Sequence, residues 1–464
     1  MVFSSPEFLF LFLPAILLAY FTAPVRFRNP VLLAGSLFFY AWGEPVYIVL
    51  MLVSITVNYA LAIAIDRYRG TPRSRVALIA AVAVSLGLLG YFKYAGLLVD
   101  TVNAILGTSF TSPNLALPIG ISFYTFQIIS YTIDVYRGDV PAQRSWVTVA
   151  MYISLFPQLI AGPIVRYKTI AAELVQRNHT LQRFTEGAGR FTIGLAKKVI
   201  IANNIGLIWK DTLQSSEPSV LLAWLGLVAF ALQIYFDFSG YSDMAIGLGR
   251  MLGFTFPENF NYPYISQTVT EFWRRWHMSL GQWFRDYVYI PMGGNRVPYL
   301  SWVRNVLVVW FLTGLWHGAA WNFAIWGLYF GVLMIIEKAF LHDLLYRLPR
   351  VFRHAYLIFA ILVSWTLFEL GSVDQIGEYL GTMFGLAGVP FVNDESAYVL
   401  RSNLVLFVVA IAASVPLLRE IQDRIPDRPI IRVAVVPAIQ ATLLVVSYAY
   451  LLDSTFNPFL YFRF

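Results

Sequence analysis

The chain has 464 residues, of which 58% are hydrophobic and 13% are charged, so its composition excludes an ordinary soluble domain, where about 45–50% are apolar and about 25% are charged. The net charge is +7, and the basic residues gather in loops between apolar runs, which is typical of a polytopic membrane protein rather than of a nucleic-acid-binding surface. The absence of cysteine excludes thiol nucleophiles, disulfide bonds and thiolate ligands, and five histidines without a metal-ligand spacing predict no metal site.

The first part of the chain predicts five apolar segments that approach the roughly 20 residues needed to span a membrane. They are residues 8–23, 31–42, 46–65, 76–99 and 115–135. An arginine-rich loop follows the third segment, at Arg67, Arg69, Arg73 and Arg75. Because such loops face the cytoplasm, the N-terminus is predicted to lie outside. Gln127 and several hydroxyl groups predict that the fifth segment faces the protein interior.

Residues 146–165 are apolar but are followed at once by a strongly basic stretch. A full crossing would put that stretch outside, so a re-entrant segment broken by Pro157, Gly162 and Pro163 is predicted instead. The next crossing, residues 191–208, contains Lys197 and Lys198, which indicates snorkelling or a polar cavity.

Two aspartates flank Tyr241: Asp237 lies at the end of the apolar run 220–238, and Asp243 follows it. At a helix end they would cap free backbone N–H groups. At membrane depth they would instead line a functional cavity, because charges there are costly. The residues alone leave both interpretations open.

The stretch 254–299 is the one long segment that is not a predicted span. Large apolar side chains recur in it every three or four residues and predict an amphipathic helix at the cytoplasmic interface; they are Phe272, Trp273, Trp276, Leu280, Trp283, Phe284 and Tyr287. This helix is a membrane-surface anchor in the simplest interpretation. Alternatively it frames the mouth of a cavity, with His277 turned inward and the arginines of the segment, Arg274, Arg275 and Arg285, free to meet an anionic substrate.

His317 is an ionisable residue in a charge-free apolar stretch, residues 305–336. Gly314 and Gly318 allow the backbone to bend there, and basic residues beyond both ends predict a hairpin whose turn carries the histidine. A neutral histidine that only bonds a neighbouring helix is the alternative to a functional one, although intramembrane ionisable groups are usually functional.

The last predicted spans are residues 356–370, 404–418 and 433–452, which place the C-terminus outside as well. The tail that follows is unusually aromatic. Tyr461, Phe462 and Phe464 either fold against the bundle and its interface or dock a partner protein.

Six motifs, taken in order, resemble the membrane-bound O-acyltransferase (MBOAT) family, and in particular its branch that O-acetylates alginate and related polysaccharides. They are LPIGISFYTFQ at 117–127, FPQLIAGPI at 156–164, DFSGYSD at 237–243, NFNYPY at 259–264, FWRRWH at 272–277 and LWHGAAW at 315–321. The resemblance covers nearly the whole chain. It implies a single all-α membrane domain, residues 1–464, with roughly eleven transmembrane or re-entrant helices around a tunnel.

The resemblance also implies that His317 is the catalytic histidine and that His277 lies near the tunnel. Cytoplasmic acetyl-CoA would be the acyl donor, with no bound cofactor, at a bacterial inner membrane. A periplasmic partner of the SGNH-hydrolase type would pass acetyl to an exopolysaccharide. We therefore predict that the tunnel and donor site involve Gln127, Asp237, Tyr241, Asp243, Arg274, Arg275, Trp316, Trp321 and Asn322.

Elementary chemistry is consistent with a catalytic His317. A neutral alcohol is a poor nucleophile, and an imidazole with a pKa near 6.5 can take its proton at neutral pH. Acylation of the imidazole itself remains open. Two other functions also remain: transfer of D-alanyl or another acyl group to a cell-wall polymer, or a proton-coupled transporter, which the absence of an internal repeat disfavours.

Overall fold

The computed structural model describes residues 1–113, 115–417, 420, 424 and 430–453, and within these residues every regular element is a helix. The predicted all-α fold is therefore confirmed. Eight of the described helices are long and apolar enough to cross a membrane, and Phe8–Thr22 is a shorter apolar helix. The chain is a multi-pass membrane protein.

The helices are labelled here in chain order. The first ten are α1 (Phe8–Thr22), α2 (Arg28–Gly43), α3 (Tyr47–Arg67), α4 (Pro72–Leu106), α5 (Ile121–Arg137), α6 (Trp146–Ser154), α7 (Phe156–Leu159), α8 (Tyr167–Val175), α9 (Leu181–Gln214) and α10 (Val220–Met251). The others are α11 (Val269–Arg275), α12 (Met278–Phe284), α13 (Tyr299–His317), α14 (Trp321–Arg347), α15 (Arg350–Glu369), α16 (Val373–Met383), α17 (Asp394–Ala413) and α18 (Val436–Asp453).

The described residues form two compact units, Met1–Phe191 with Tyr241–Glu258, and Thr192–Gly240 with Asn259–Phe464. In the first unit, phenylalanine rings from α1, α2, α7 and the N-terminal segment pack together, with 4.8 Å between the centroids of Phe3 and Phe8. In the second unit, a tryptophan-rich core joins α10, α11, α14 and α15.

The predicted break in the apolar segment 146–165 is confirmed. Helix α6 ends at Ser154, and the four-residue helix α7, with Pro157 in its first turn, follows Leu155. Proline has no N–H to donate and its ring crowds the preceding turn, so a helix cannot continue through it undisturbed.

The amphipathic segment is helical, but it is not the single helix that its periodicity predicts. Helices α11 and α12 meet at His277, whose φ of 43° is left-handed. Its apolar side chains are buried within the protein, with Phe272, Trp276 and Leu280 at most 2% exposed. The spacing of apolar residues predicts which side chains are buried, but it cannot predict a single residue with a positive φ.

Asp237 and Asp243 both lie inside α10, which continues to Met251. Neither is at a helix end, so the capping interpretation is wrong. A carboxylate in a helix interior needs a partner from another element. Helix α9 supplies both partners: Lys198 pairs with Asp237, and Arg190 pairs with Asp243.

The predicted hairpin around His317 is confirmed, since α13 ends at His317 and α14 begins at Trp321. Its two helices are in backbone contact. A methyl group added to Gly314 would meet the carbonyl oxygen of Phe323, and one added to Gly327 would meet that of Trp310. Glycine at both positions therefore sets the separation of the two helices.

Candidate active site

Two buried histidines face each other in the second unit. The ring centroids of His277 and His317 are 6.3 Å apart, and the residues are 1% and 2% exposed. They come from different elements, the α11–α12 junction and the last residue of α13. A reacting group placed between them would be within reach of both imidazoles.

Aromatic rings enclose His317. The centroids of Trp316 and Trp326 are each 5.0 Å from that of the imidazole, and Phe368 is 5.6 Å away, all in edge-to-face orientation. Such walls keep bulk water from the imidazole, which matters for any chemistry that competes with hydrolysis.

His277 is held in an unusual backbone conformation. Left-handed φ in a non-glycine residue costs of order 1–3 kcal/mol and persists only where surrounding contacts enforce it. Asn259 supplies such contacts: its carbonyl oxygen accepts from Met278 N (2.9 Å), and its side-chain oxygen accepts from Ser279 N (3.3 Å) and Oγ (2.8 Å). The ring of Phe238 then packs edge-on against the imidazole, at 4.7 Å.

Burial also sets the charge of His277. Desolvation lowers its pKa to about 3, so the imidazole is neutral at physiological pH. A neutral imidazole has one N–H donor and one acceptor nitrogen. His277 can therefore donate a hydrogen bond without carrying a buried charge.

A buried carboxylate fixes the helix that leads to His277. Glu337, from α14, accepts from Val269 N (2.6 Å), Thr270 N (2.9 Å) and Thr270 Oγ1 (2.7 Å) at the start of α11. The hydroxyl of Tyr356 donates to it as well, at 3.2 Å. The negative charge lies at the positive end of a helix, where it is favourable.

A cavity of ≈ 1110 Å³ opens beside these helices, and His277 is part of its wall. Three cationic side chains also line it, Arg274, Arg285 and Lys338. Aromatic walls come from Trp273, Trp302 and Trp310. His317 does not line the cavity, and its ring lies 6.3 Å from that of His277, which does.

Some of the predicted site residues of the second unit lie at the cavity or the histidine pair, and others are held elsewhere. Arg274 faces the cavity and Trp316 contacts both histidines. Arg275 instead pairs with Glu271 (3.0 Å) and donates to a backbone carbonyl, and Trp321 is 51% exposed.

Asn322 and Asp237 have other partners. The Asn322 side chain donates to the carbonyl of Phe368, at 3.2 Å. Asp237 forms a buried ion pair with Lys198, at 2.6 Å, next in sequence to the Phe238 that packs on His277.

The remaining predicted residues belong to the first unit. Tyr241 stacks on Phe3 with 4.5 Å between centroids, and Asp243 pairs with Arg190 at 2.6 Å. Gln127 is 1% exposed, and neither polar atom of its side chain has a hydrogen-bond partner among the described residues. Tyr461, Phe462 and Phe464 lie outside the described residues.

Two residues of the site were not predicted: Glu337 and Lys338. Glu337 is the acid that ends the charge-free stretch after His317, and that position was a usable signal. Within the described parts of the chain, no group of three or more His, Asp or Glu side chains is placed to hold a metal ion.

Comparison with known proteins places these observations in context. Residues 140–368 match the family model described as MBOAT, membrane-bound O-acyltransferase family. The probable alginate O-acetylase AlgI of Azotobacter vinelandii is 46% identical over 389 residues, which are 83% of this chain and 78% of that protein. The protein of the same name from Pseudomonas aeruginosa is 44% identical, over 83% of this chain and 75% of that protein. The peptidoglycan O-acetyltransferase of Helicobacter pylori is 34% identical, over 84% and 81% respectively.

Proposed function

Because this chain belongs to the membrane-bound O-acyltransferase family, we propose that it transfers an acetyl group from cytoplasmic acetyl-CoA across a bacterial inner membrane for O-acetylation of an exopolysaccharide. That it is a membrane O-acyltransferase follows from the family. The names of its relatives, a probable alginate O-acetylase and a peptidoglycan O-acetyltransferase, support acetyl as the transferred group and a cell-surface glycan as the acceptor. An alginate-like polymer is the first candidate acceptor and cellulose the second.

The buried histidine pair carries this proposal. We assign His317 as the base that takes the proton of the attacking hydroxyl as its oxygen bonds to the thioester carbon. The thiolate of coenzyme A then leaves and recovers a proton. Positioned base catalysis of this kind contributes about 10²–10⁴-fold. His277, neutral and on the cavity wall, donates to the carbonyl oxygen as negative charge develops there.

The cavity supports acetyl-CoA as the donor. Coenzyme A carries phosphates and an adenine ring, and the cavity offers both of their counterparts. Arg274, Arg285 and Lys338 provide cations for the phosphates, and tryptophan rings provide flat surfaces for the base. The thioester would then reach His277 from the cavity side.

The acceptor side of the proposal follows the family resemblance. A periplasmic SGNH-hydrolase-type acetyltransferase would receive acetyl and pass it to the polymer. The aromatic tail, with Tyr461, Phe462 and Phe464, would be the segment that docks this partner. Both termini of the chain would then lie in the periplasm.

A single-turnover assay tests the reaction. The full-length protein in lipid nanodiscs is mixed with radiolabelled acetyl-CoA, and thioester cleavage is followed with wild type, His317→Gln and the control His354→Gln. His354 contacts the Ser266 carbonyl and is a histidine outside the pair. Cleavage should fall by at least 10²-fold in His317→Gln alone. Equal cleavage by all three would remove the role assigned to His317.

The same assay tests the donor. If folded wild type cleaves no acetyl-CoA even with the periplasmic partner added, a D-alanyl or other acyl donor replaces acetyl-CoA in the proposal. Arg274→Gln should raise the KM for acetyl-CoA at least several-fold. Arg275→Gln should change it less, because the Arg275 side chain pairs with Glu271 and does not itself line the cavity.

A further inference from the structure

The first unit carries a cluster of basic side chains around Tyr20, at the end of α1. Tyr20 is fully buried, and the guanidinium carbons of Arg28 and Arg177 lie 5.4 and 5.6 Å from its ring centroid. Arg177 donates to the tyrosine hydroxyl at 3.0 Å. His179 joins the group, with one ring nitrogen 2.9 Å from that hydroxyl and the other 3.3 Å from Arg28.

The cluster has a positive excess. In the described part of the chain, no carboxylate forms an ion pair with Arg28 or Arg177. Besides the Tyr20 hydroxyl, Arg177 donates a hydrogen bond to the side-chain oxygen of Asn29. Glu173 lies close enough to act on Arg177 through its charge, but its carboxylate oxygens accept from Thr255 N and Oγ1, at 2.8 and 2.7 Å, so two arginines face one acid.

One donor of the cluster is also unsatisfied. The Nε of Arg28 is buried, and no described residue accepts a hydrogen bond from it. A partly buried guanidinium without a carboxylate retains its desolvation cost, and an anion with several acceptor oxygens would remove it.

An apolar surface adjoins these charges. Phe21 is 39% exposed, yet its ring lies 5.7 Å from His179 and 5.9 Å from Phe184. Val25 and Phe27 follow it in the chain and are 74% and 47% exposed. A ligand that contacted both surfaces would need an anionic head and an apolar tail.

We propose that this cluster binds the phosphate of an anionic phospholipid, with Arg28 and Arg177 on the phosphate oxygens and an acyl chain along Phe21 and the exposed face of α1. Basic pockets between membrane helices bind such headgroups. The planar fork of arginine suits bidentate contact with phosphate. Free inorganic phosphate shares the headgroup chemistry and lacks the chain, so the two sources can be separated.

The test uses the full-length protein in neutral detergent, titrated with phosphatidylglycerol and followed by native mass spectrometry. Wild type should retain one lipid that the double variant Arg28→Gln/Arg177→Gln retains about thirtyfold more weakly, since each arginine near a membrane surface contributes a factor of about five. The single variant Arg28→Gln, at about fivefold, serves if the double variant does not fold.

The control is Arg67→Gln/Arg73→Gln. These arginines also flank one tyrosine, with guanidinium carbons 5.8 and 5.6 Å from the Tyr68 centroid, but both are exposed. Their loss should change affinity less than about twofold, because no pocket forms around them. Equal weakening by both pairs would show general surface attraction and overturn the site. Equal retention of phosphatidylcholine, or displacement by inorganic phosphate at lipid concentrations, would overturn the lipid assignment.

Discussion

Replacement of Glu337 by glutamine tests whether one carboxylate positions the candidate site. The two carboxylate oxygens accept from Val269 N, Thr270 N, Thr270 Oγ1 and Tyr356 Oη. Glutamine keeps the shape but turns one acceptor into an NH₂ donor, so one buried backbone N–H of α11 loses its acceptor, at about 1–3 kcal/mol. Loss of the charge at the helix start adds up to about 1 kcal/mol. Glu337→Gln should therefore lower the free energy of unfolding by about 1–4 kcal/mol.

The matched control is Thr270→Val, which removes one side-chain hydrogen bond and leaves both backbone N–H groups bonded to Glu337. It should cost about 1 kcal/mol. Denaturant titration in mixed micelles gives both values, and acetyl-CoA cleavage by the folded fraction reports on His277. A Glu337→Gln variant no less stable than Thr270→Val, with wild-type cleavage, would refute the positioning argument.

Burial of neutral His277 makes stability pH-dependent. Its pKa is about 3 when folded and about 6.5 when unfolded, so the unfolded chain binds the extra proton and lowering the pH from 7 to 5 costs about 2 kcal/mol. Unfolding titrations of His277→Gln should lack this loss, and an unchanged pH slope would contradict the assignment. Asp237→Leu alone should destabilise the folded protein by about 3–5 kcal/mol, because it leaves the charge of Lys198 buried without its partner. The double variant Lys198→Met/Asp237→Leu should recover most of that energy. If the two substitutions are additive in a double-mutant cycle, the two residues are not coupled. Gly327→Ala should lower the free energy of unfolding by about 1–3 kcal/mol and slow acetyl-CoA cleavage, because its methyl group meets the Trp310 carbonyl. The control Gly331→Ala should cost less, because its methyl group would lie 3.2 Å from the nearest side-chain atom. The reverse order would show that the separation of α13 and α14 does not limit stability.

The local sequence pattern was sufficient to predict the part of the site that lies in the hairpin of α13 and α14. A charge-free stretch with one histidine between glycines predicts both the turn and its residue, because span length and loop charge act locally. The same reasoning could not predict that Trp326 and Phe368 would close around His317, since these contacts depend on the packing of α14 and α15.

Other parts depend on contacts that no local pattern encodes. The periodicity of residues 272–287 identifies the buried side chains but not the reversal at His277, which Asn259 stabilises from another segment. The cluster around Tyr20 joins residues about 150 positions apart in the chain, and each of its arginines reads as an ordinary loop charge. Sequence reasoning found the elements and missed the partners that fix their side chains.

His317 is the last residue of α13, and this position has an electrostatic consequence. The final carbonyl groups of a helix have no N–H partners within it, and the aligned peptide dipoles leave about half a negative charge at that end. A proton that reaches His317 therefore meets a field that favours positive charge, although its surroundings are aromatic. In the transfer proposed above, the helix terminus would stabilise an imidazolium at His317 without a full carboxylate charge beside the thioester, where it would oppose the developing oxyanion.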